Sequence, residues 1–259
     1  MARVHISYLS SFFFLLLLTF GLASCQQTTT TLEPQVLNTY PHDPDAFTQG
    51  LLFYGGDLYE STGLFGASSV REVDLETGEV IRTLPLAGDL FGEGLARVDD
   101  QLYQITWQSG RAFVYDLETF EQEGRFSYET EGWGLCYDGE DLYMSDGSAT
   151  LFERDPETFE VTREAQVTLR GEPVERLNEL ECVGEHVYAN VWQTDTIVKI
   201  DKSSGKVVGE IDASNLLEGA PTNPDAVLNG IAYNPETETF YLTGKLWSEL
   251  FEVRFVEEE

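Results

Sequence analysis

The sequence predicts an all-β fold, a five-bladed β-propeller closed by an N-terminal strand that completes the last blade. Three observations predict it. A short motif recurs as Phe47-Thr48-Gln49-Gly50-Leu51, Phe91-Gly92-Glu93-Gly94-Leu95, Glu131-Gly132-Trp133-Gly134-Leu135, Leu177-Asn178-Glu179-Leu180 and Leu228-Asn229-Gly230-Ile231. Its key residues Gln49, Glu93, Trp133, Asn178 and Asn229 are 44, 40, 45 and 51 residues apart, the period of blades with four strands each. The last unit lacks a fourth strand, and a spare strand-like segment precedes the first.

Taken in order, the chain opens with Arg3 and an apolar run from Phe12 to Phe20, too short to span a membrane and flanked like a signal peptide over residues 1–24. Leu22-Ala23-Ser24-Cys25 resembles a bacterial lipobox, so Cys25 is expected to be lipidated and to anchor the mature chain to a membrane of the cell envelope, outside the cytoplasm. The plain alternative is an ordinary secretory peptide with an incidental cysteine. Residues 25–34, with four consecutive threonines, read as a polar tether, and residues 35–259 as the propeller domain.

Within each unit a tyrosine follows the key residue, at Tyr59, Tyr103, Tyr143, Tyr188 and Tyr241, with polar or glycine-rich turns between them such as Tyr54-Gly55-Gly56-Asp57. Each pair is therefore a hairpin. A third strand ends in a repeated turn, Asp74-Leu75-Glu76-Thr77-Gly78, Asp116 to Phe120, Asp155 to Phe159 and Asp201 to Gly205, where the aspartate is expected to bond the backbone two residues on. Fourth strands follow, as in Val80 to Leu84 and Lys206 to Ile211. After Leu250 to Phe255 the fifth unit has none, and Pro34 to Tyr40 is expected to supply it and cover the open edge.

A formal charge of −31, with four lysines against 46 acids, argues against nucleic acid, because no basic patch can displace phosphate counterions. The acids are scattered over turns and strand edges, as on proteins adapted to high salt. Cys136 and Cys182 sit three and four places after their key residues, on opposite faces of regular strands. They are read as two buried thiols, with pairing left open.

The first strand of a propeller blade lines the channel and the second runs antiparallel to it. The key residues should therefore meet a second ring, four places beyond each tyrosine: Gly63, Trp107, Gly147, Trp192 and Lys245. Together the rings gather three tryptophans, one carboxylate, three carboxamides and a lysine at one channel mouth. Aromatic packing and a Glu93–Lys245 ion pair are the bland alternatives.

Tyr40-Pro41-His42-Asp43-Pro44-Asp45-Ala46-Phe47-Thr48-Gln49-Gly50, Phe91-Gly92-Glu93-Gly94, Leu177-Asn178-Glu179-Leu180, Ala189-Asn190-Val191-Trp192 and Leu242-Thr243-Gly244-Lys245-Leu246-Trp247 resemble the glutamine cyclotransferase family of plant and bacterial type, over roughly Val36 to Phe255. The resemblance implies a five-bladed propeller that converts N-terminal glutamine of peptides to pyroglutamate and releases ammonia, without an essential metal or other cofactor. It places site residues at Phe47, Gln49, Glu93, Trp107, Trp133, Asn178, Trp192 and Lys245; repeat geometry adds Phe91 and Asn229. Glu93 is then the proton shuttle, and Lys245, Asn178 and Gln49 are donors to the side-chain carbonyl.

The three histidines, His5, His42 and His186, are scattered, so zinc chemistry is unsupported, and Cys182 with His186 is a weak nucleophilic pair. Partners are expected to be peptides or proteins beginning in glutamine, acted on by a monomer. Two rivals remain: a non-catalytic propeller that binds or scaffolds peptides or sugars, and a glycosidase, which would need a second acid such as Glu179 beside Glu93.

Overall fold

The computed structural model describes residues 1–2, 29–217, 219 and 222–258. Apart from its first two residues, the expected signal peptide lies outside them, as does Cys25. The described residues form strands and turns without a helix.

Strand β1 (Thr30–Pro41) is followed by four-stranded antiparallel sheets in chain order. The first contains β2 (Thr48–Tyr54), β3 (Asp57–Thr62), β4 (Ser69–Val73) and β5 (Val80–Pro85). The second contains β6 (Gly92–Val98), β7 (Gln101–Thr106), β8 (Arg111–Asp116) and β9 (Gln122–Ser127), and the third β10 (Leu135–Tyr137), β11 (Leu142–Met144), β12 (Thr150–Arg154) and β13 (Val161–Gln166). A small hairpin, β14 (Thr168–Leu169) and β15 (Glu172–Pro173), intervenes.

The remaining strands are β16 (Leu177–Val183), β17 (His186–Val191), β18 (Thr196–Asp201), β19 (Val207–Asp212), β20 (Leu228–Asn234), β21 (Thr239–Gly244) and β22 (Glu249–Glu257). They make one eight-stranded sheet, because β1 lies between β19 and β22. The expected closing strand is thus present, antiparallel to β22 from Leu32↔Glu257 to Pro41↔Glu249. It also begins earlier than expected. Thr30 to Leu32, read from sequence as tether, pair in parallel with Gly209 to Ile211, because the edge of β19 offers unpaired backbone groups that this segment satisfies.

First strands pack in cyclic order, β2 on β6, β6 on β10, β10 on β16, β16 on β20 and β20 on β2, which gives the molecule its propeller-like form. Side-chain alternation sends Leu51 toward the last unit and its neighbour Leu52 toward the second, and the core is the set of layers between adjacent sheets. Each repeated tyrosine is buried in such a layer, opposite Leu52, Ala96, Cys136, Glu181 or Ala232.

This alternation corrects the reading of the cysteines. Cys136 and Cys182 form a disulfide, with Cα atoms 5.5 Å apart. Residues on opposite faces of strands in neighbouring sheets point toward each other across the layer between them, so the opposite phase that argued against pairing is what permits it.

The repeated turns hold, with the expected bond two residues on made at Asp155, which accepts the Glu157 N–H at 3.0 Å, and a bond one residue further common to all four. Asp74, Asp116, Asp155 and Asp201 each accept the backbone N–H three residues on, and the Thr or Ser there adds its hydroxyl. The next residue takes positive φ as Gly78, Phe120, Phe159 or Gly205. A Cβ on Gly78 or Gly205 would meet the carbonyl of Pro41 or Gln166, at 2.6 and 2.4 Å, so glycine is obligatory where another strand passes close by.

Candidate active site

Four first strands slip register at the recurring motif, between Thr48 and Gly50, Gly92 and Leu95, Leu177 and Leu180, and Leu228 and Ile231. An extra residue in one strand re-aims the side chain it carries. The motif's glycines permit the close packing beside it: a Cβ on Gly50 or Gly94 would lie 2.5 or 2.4 Å from the backbone nitrogen of Leu95 or Leu135.

The result is a cavity of about 240 Å³ lined by Phe47, Gln49, Phe91, Glu93, Trp107, Trp133, Asn178, Trp192 and Lys245, with Gln193, Pro224, Asp225 and Val227 at one side. Nine of the ten residues expected to contact a substrate or act on it are therefore brought together. Asn229 is the exception. Its Nδ2 donates to the Thr48 carbonyl at 2.9 Å and to Gln49 Oε1 at 3.4 Å, so it stands in the wall behind Gln49. Gln49 in turn donates from Nε2 to Glu93 Oε1 at 3.3 Å, which makes it a support of the carboxylate.

The ring glycines also find their reason here. A Cβ on Gly63 would strike the Phe91 ring and one on Gly147 the Trp133 ring, so these positions are kept bare for the aromatic walls. Phe91 meets Trp107 edge-on at 5.6 Å, and Trp133 meets Trp192 at 5.4 Å and 85°. Trp247, the fourth tryptophan, is buried in the core instead, donating to the Ala226 carbonyl.

Glu93 is buried, and desolvation holds its pKa well above the usual carboxylate value, with Lys245 opposing and Glu131 adding to the rise. Lys245 is equally buried, and desolvation lowers its pKa to about 8 against the pull of Glu93 and Asp225. Its Nζ stands 4.8 Å from the centre of the Phe47 ring. Among the described residues no contact within 4.0 Å joins it to Glu93, so the two are not a closed ion pair. An acid and a base whose pKa values converge, with room between them, can pass protons to and from a third group.

Glu179 does not join them. Fully buried, it accepts the backbone N–H groups of Leu51 at 3.2 Å and Ile231 at 2.8 Å, bracing first strands across the ring. It fills the motif position that is glycine in the other four repeats. The second acid required by the glycosidase rival is thus committed elsewhere.

Sequence reasoning did not anticipate Gln193, Pro224, Asp225 and Val227 in the lining, nor two contributors beside it. Glu131 opens the third motif copy and accepts hydrogen bonds from Trp107 and Trp133, which only the folded turn brings within reach. Phe65, exposed beside the mouth, packs edge-on to Phe91 at 5.4 Å, and no repeat marks its place.

An all-β, propeller-like scaffold whose aromatic-walled cavity holds a buried carboxylate and a buried amine at its strand starts defines an acid–base enzyme built on sequence repeats. The chain belongs to the glutamine cyclotransferase family, whose model matches residues 12–255. It is 43% identical over 227 residues to a glutaminyl-peptide cyclotransferase of Arabidopsis thaliana, covering 86% of this chain and 71% of that protein. The crystal structure of Myxococcus xanthus glutaminyl cyclase superposes with a TM-score of 0.84 at 41% identity, covering 89% of this chain and all of that one.

Proposed function

We propose that the chain is a glutaminyl-peptide cyclotransferase, converting N-terminal glutamine of peptides and proteins to pyroglutamate with release of ammonia. The observation that carries the reading is the single cavity holding Glu93, with its raised pKa, and Lys245, with its lowered one.

The α-amine of a peptide, with a pKa of about 7.7 to 8.0, arrives largely protonated. Glu93 takes one proton from it, a transfer the raised carboxylate pKa makes less unfavourable. The freed nitrogen attacks the carbonyl carbon of its own side-chain amide and forms the ring N–C bond. Lys245 and Asn178 donate to the carbonyl oxygen as it gains negative charge. Glu93 then returns its proton to the amide nitrogen, the old C–N bond breaks, and the ring nitrogen gives up its second proton through Glu93 to the departing ammonia, which leaves as ammonium. The aromatic walls hold the side chain folded for an intramolecular attack.

The same reading takes the eight-stranded sheet as two blades joined through β1, giving five in all, with a catalytic domain covering residues 35–259 and extending back to Thr30. Glu93, Lys245 and the aromatic walls together supply the groups the proposed chemistry needs without a second copy, and on that ground we propose action as a monomer. Lipidation at Cys25 would hold this domain on a membrane of the bacterial cell envelope, and the Cys136–Cys182 disulfide fits an oxidising compartment.

The test is ammonia release from a short peptide beginning in glutamine, with the cyclised product identified by mass. The parent should release it rapidly, and a folded Glu93→Gln variant should be slower by about 10² to 10⁴. Release by the parent no faster than the spontaneous reaction would leave a binding propeller as the better reading.

A further inference from the structure

The carboxylate of Glu131 lies behind the tryptophan walls and has no assigned task. Its Oε2 accepts two indole N–H groups at once, from Trp107 at 2.8 Å and Trp133 at 3.0 Å, while Oε1 accepts Gln108 Nε2 at 3.0 Å. Burial raises the carboxyl pKa, but the hydrogen bonds from Gln108, Trp133 and Trp107 outweigh it, so Glu131 is an anion at neutral pH. It has no basic partner within ion-pair distance among the described residues, so the indoles are its main compensation.

The consequences spread from this one oxygen. Trp107 and Trp133 come from different sheets, and an acceptor shared between them fixes the distance and angle between two walls of the cavity. Each then orients a further ring: Trp107 meets Phe91 edge-on and Trp133 meets Trp192 edge-on. Backbone bonds fix the frame, with Gly132 N–H donating to the Trp107 carbonyl at 2.9 Å and Gly94 N–H to the Trp133 carbonyl at 2.8 Å. Those bonds hold the main chain and leave the indole planes free to turn about their side-chain torsions. Glu131 removes that freedom.

We infer that Glu131 is a positioning residue: by accepting both indole N–H groups it sets the slot between Trp107 and Trp133 that receives the glutamine side chain. The slot's role rests on the cyclotransferase reading, whereas the hold on the indoles does not. A planar carboxamide side chain needs two walls at fixed separation, and walls free to rotate would admit it in unproductive poses.

Two substitutions separate reach from charge. Glu131→Asp keeps the charge but withdraws the acceptor by one methylene; Glu131→Gln loses the charge but keeps a carbonyl oxygen able to accept both indoles. The measurements are KM and kcat for a glutaminyl peptide, and the indole N–H resonances of the four tryptophans. Glu131→Asp should raise KM by about tenfold and shift the Trp107 and Trp133 resonances. Glu131→Gln should keep those resonances near their places and KM within about threefold, its lost charge showing instead in the pH profile of kcat through Glu93, whose raised pKa Glu131 helps maintain. An equal rise of KM in both variants, or a rise in Glu131→Gln alone, would assign the effect to charge and overturn the inference. So would unmoved resonances and unchanged KM in Glu131→Asp. If the parent itself released no ammonia, the cyclotransferase reading would fall with the slot's role, and the resonances would still decide whether Glu131 holds the indoles.

Discussion

Glu93 and Glu179 stand one motif position apart in different repeats, and the bulged first strand decides what each meets. Glu93 faces the cavity with a raised pKa, so its basic form is lost as pH falls through a value above the ordinary carboxylate range. Lys245 loses its charge as pH rises through about 8. The profile of kcat against pH should therefore be a bell whose acid limb lies well above about 4.3, the pKa of a solvated glutamate. An acid limb at that ordinary value would mean that Glu93 is solvated or is not the shuttle. Glu179 makes a different prediction. Gln cannot accept two backbone N–H groups with its terminal oxygen and nitrogen, so Glu179→Gln should strand one of them and cost about 1–3 kcal/mol in denaturant unfolding. Unchanged stability would show that the brace is dispensable.

The element that most needs fixing is the loop before β2, because it carries Phe47 toward the cavity. Arg71 bonds Asp43 at 2.7 Å and closely pairs with Glu60, which also accepts Thr48 at 2.6 Å and contacts His42 at 3.2 Å. His42 Nδ1 donates to the Trp247 carbonyl at 2.8 Å, tying this loop to the one that carries Lys245. Burial opposes the charge on Glu60, but His42, Arg71 and Thr48 prevail and lower its pKa to about 2 from 4.5. The sign follows: this contribution is complete above pH 4.5 and lost as pH falls through about 2. Glu60→Gln should unfold more easily at neutral pH, by about 3 kcal/mol, and the gap from the parent should close in acid. A gap independent of pH would point to packing alone.

Repeats made the hairpins, the turns and the cavity ring legible, since the same position recurs in every unit. They could not show Glu131, whose partners belong to different units, nor the bonds by which Asn229 holds Thr48 and Gln49 of another unit. Strand phase alone also misled for Cys136 and Cys182. Their pairing depends on which faces of two sheets oppose each other, a relation between elements that a single strand does not contain.

For the whole molecule, 46 acids against 15 lysines and arginines leave a formal excess of 31 negative charges. Self-repulsion of such a surface is screened by salt, so the melting temperature should rise steadily from low to molar salt. A flat dependence would remove adaptation to salt as an explanation of the composition. The disulfide spans 46 residues, and in the chain-entropy account its reduction should cost about 4 kcal/mol and lower the melting point. An unchanged melting point after verified reduction would contradict this.

Strand β1, inserted between β19 and β22, sets a timetable. The earliest strand to leave the ribosome finds its neighbours only when Val207–Asp212 and Glu249–Glu257 have been made. Until then the ring stays open, and its closure waits on contacts between the two ends of the polypeptide, which form slowly. The four-stranded sheets can form as they are made, but the edges of β19 and β22 stay uncovered until the two meet the first strand between them.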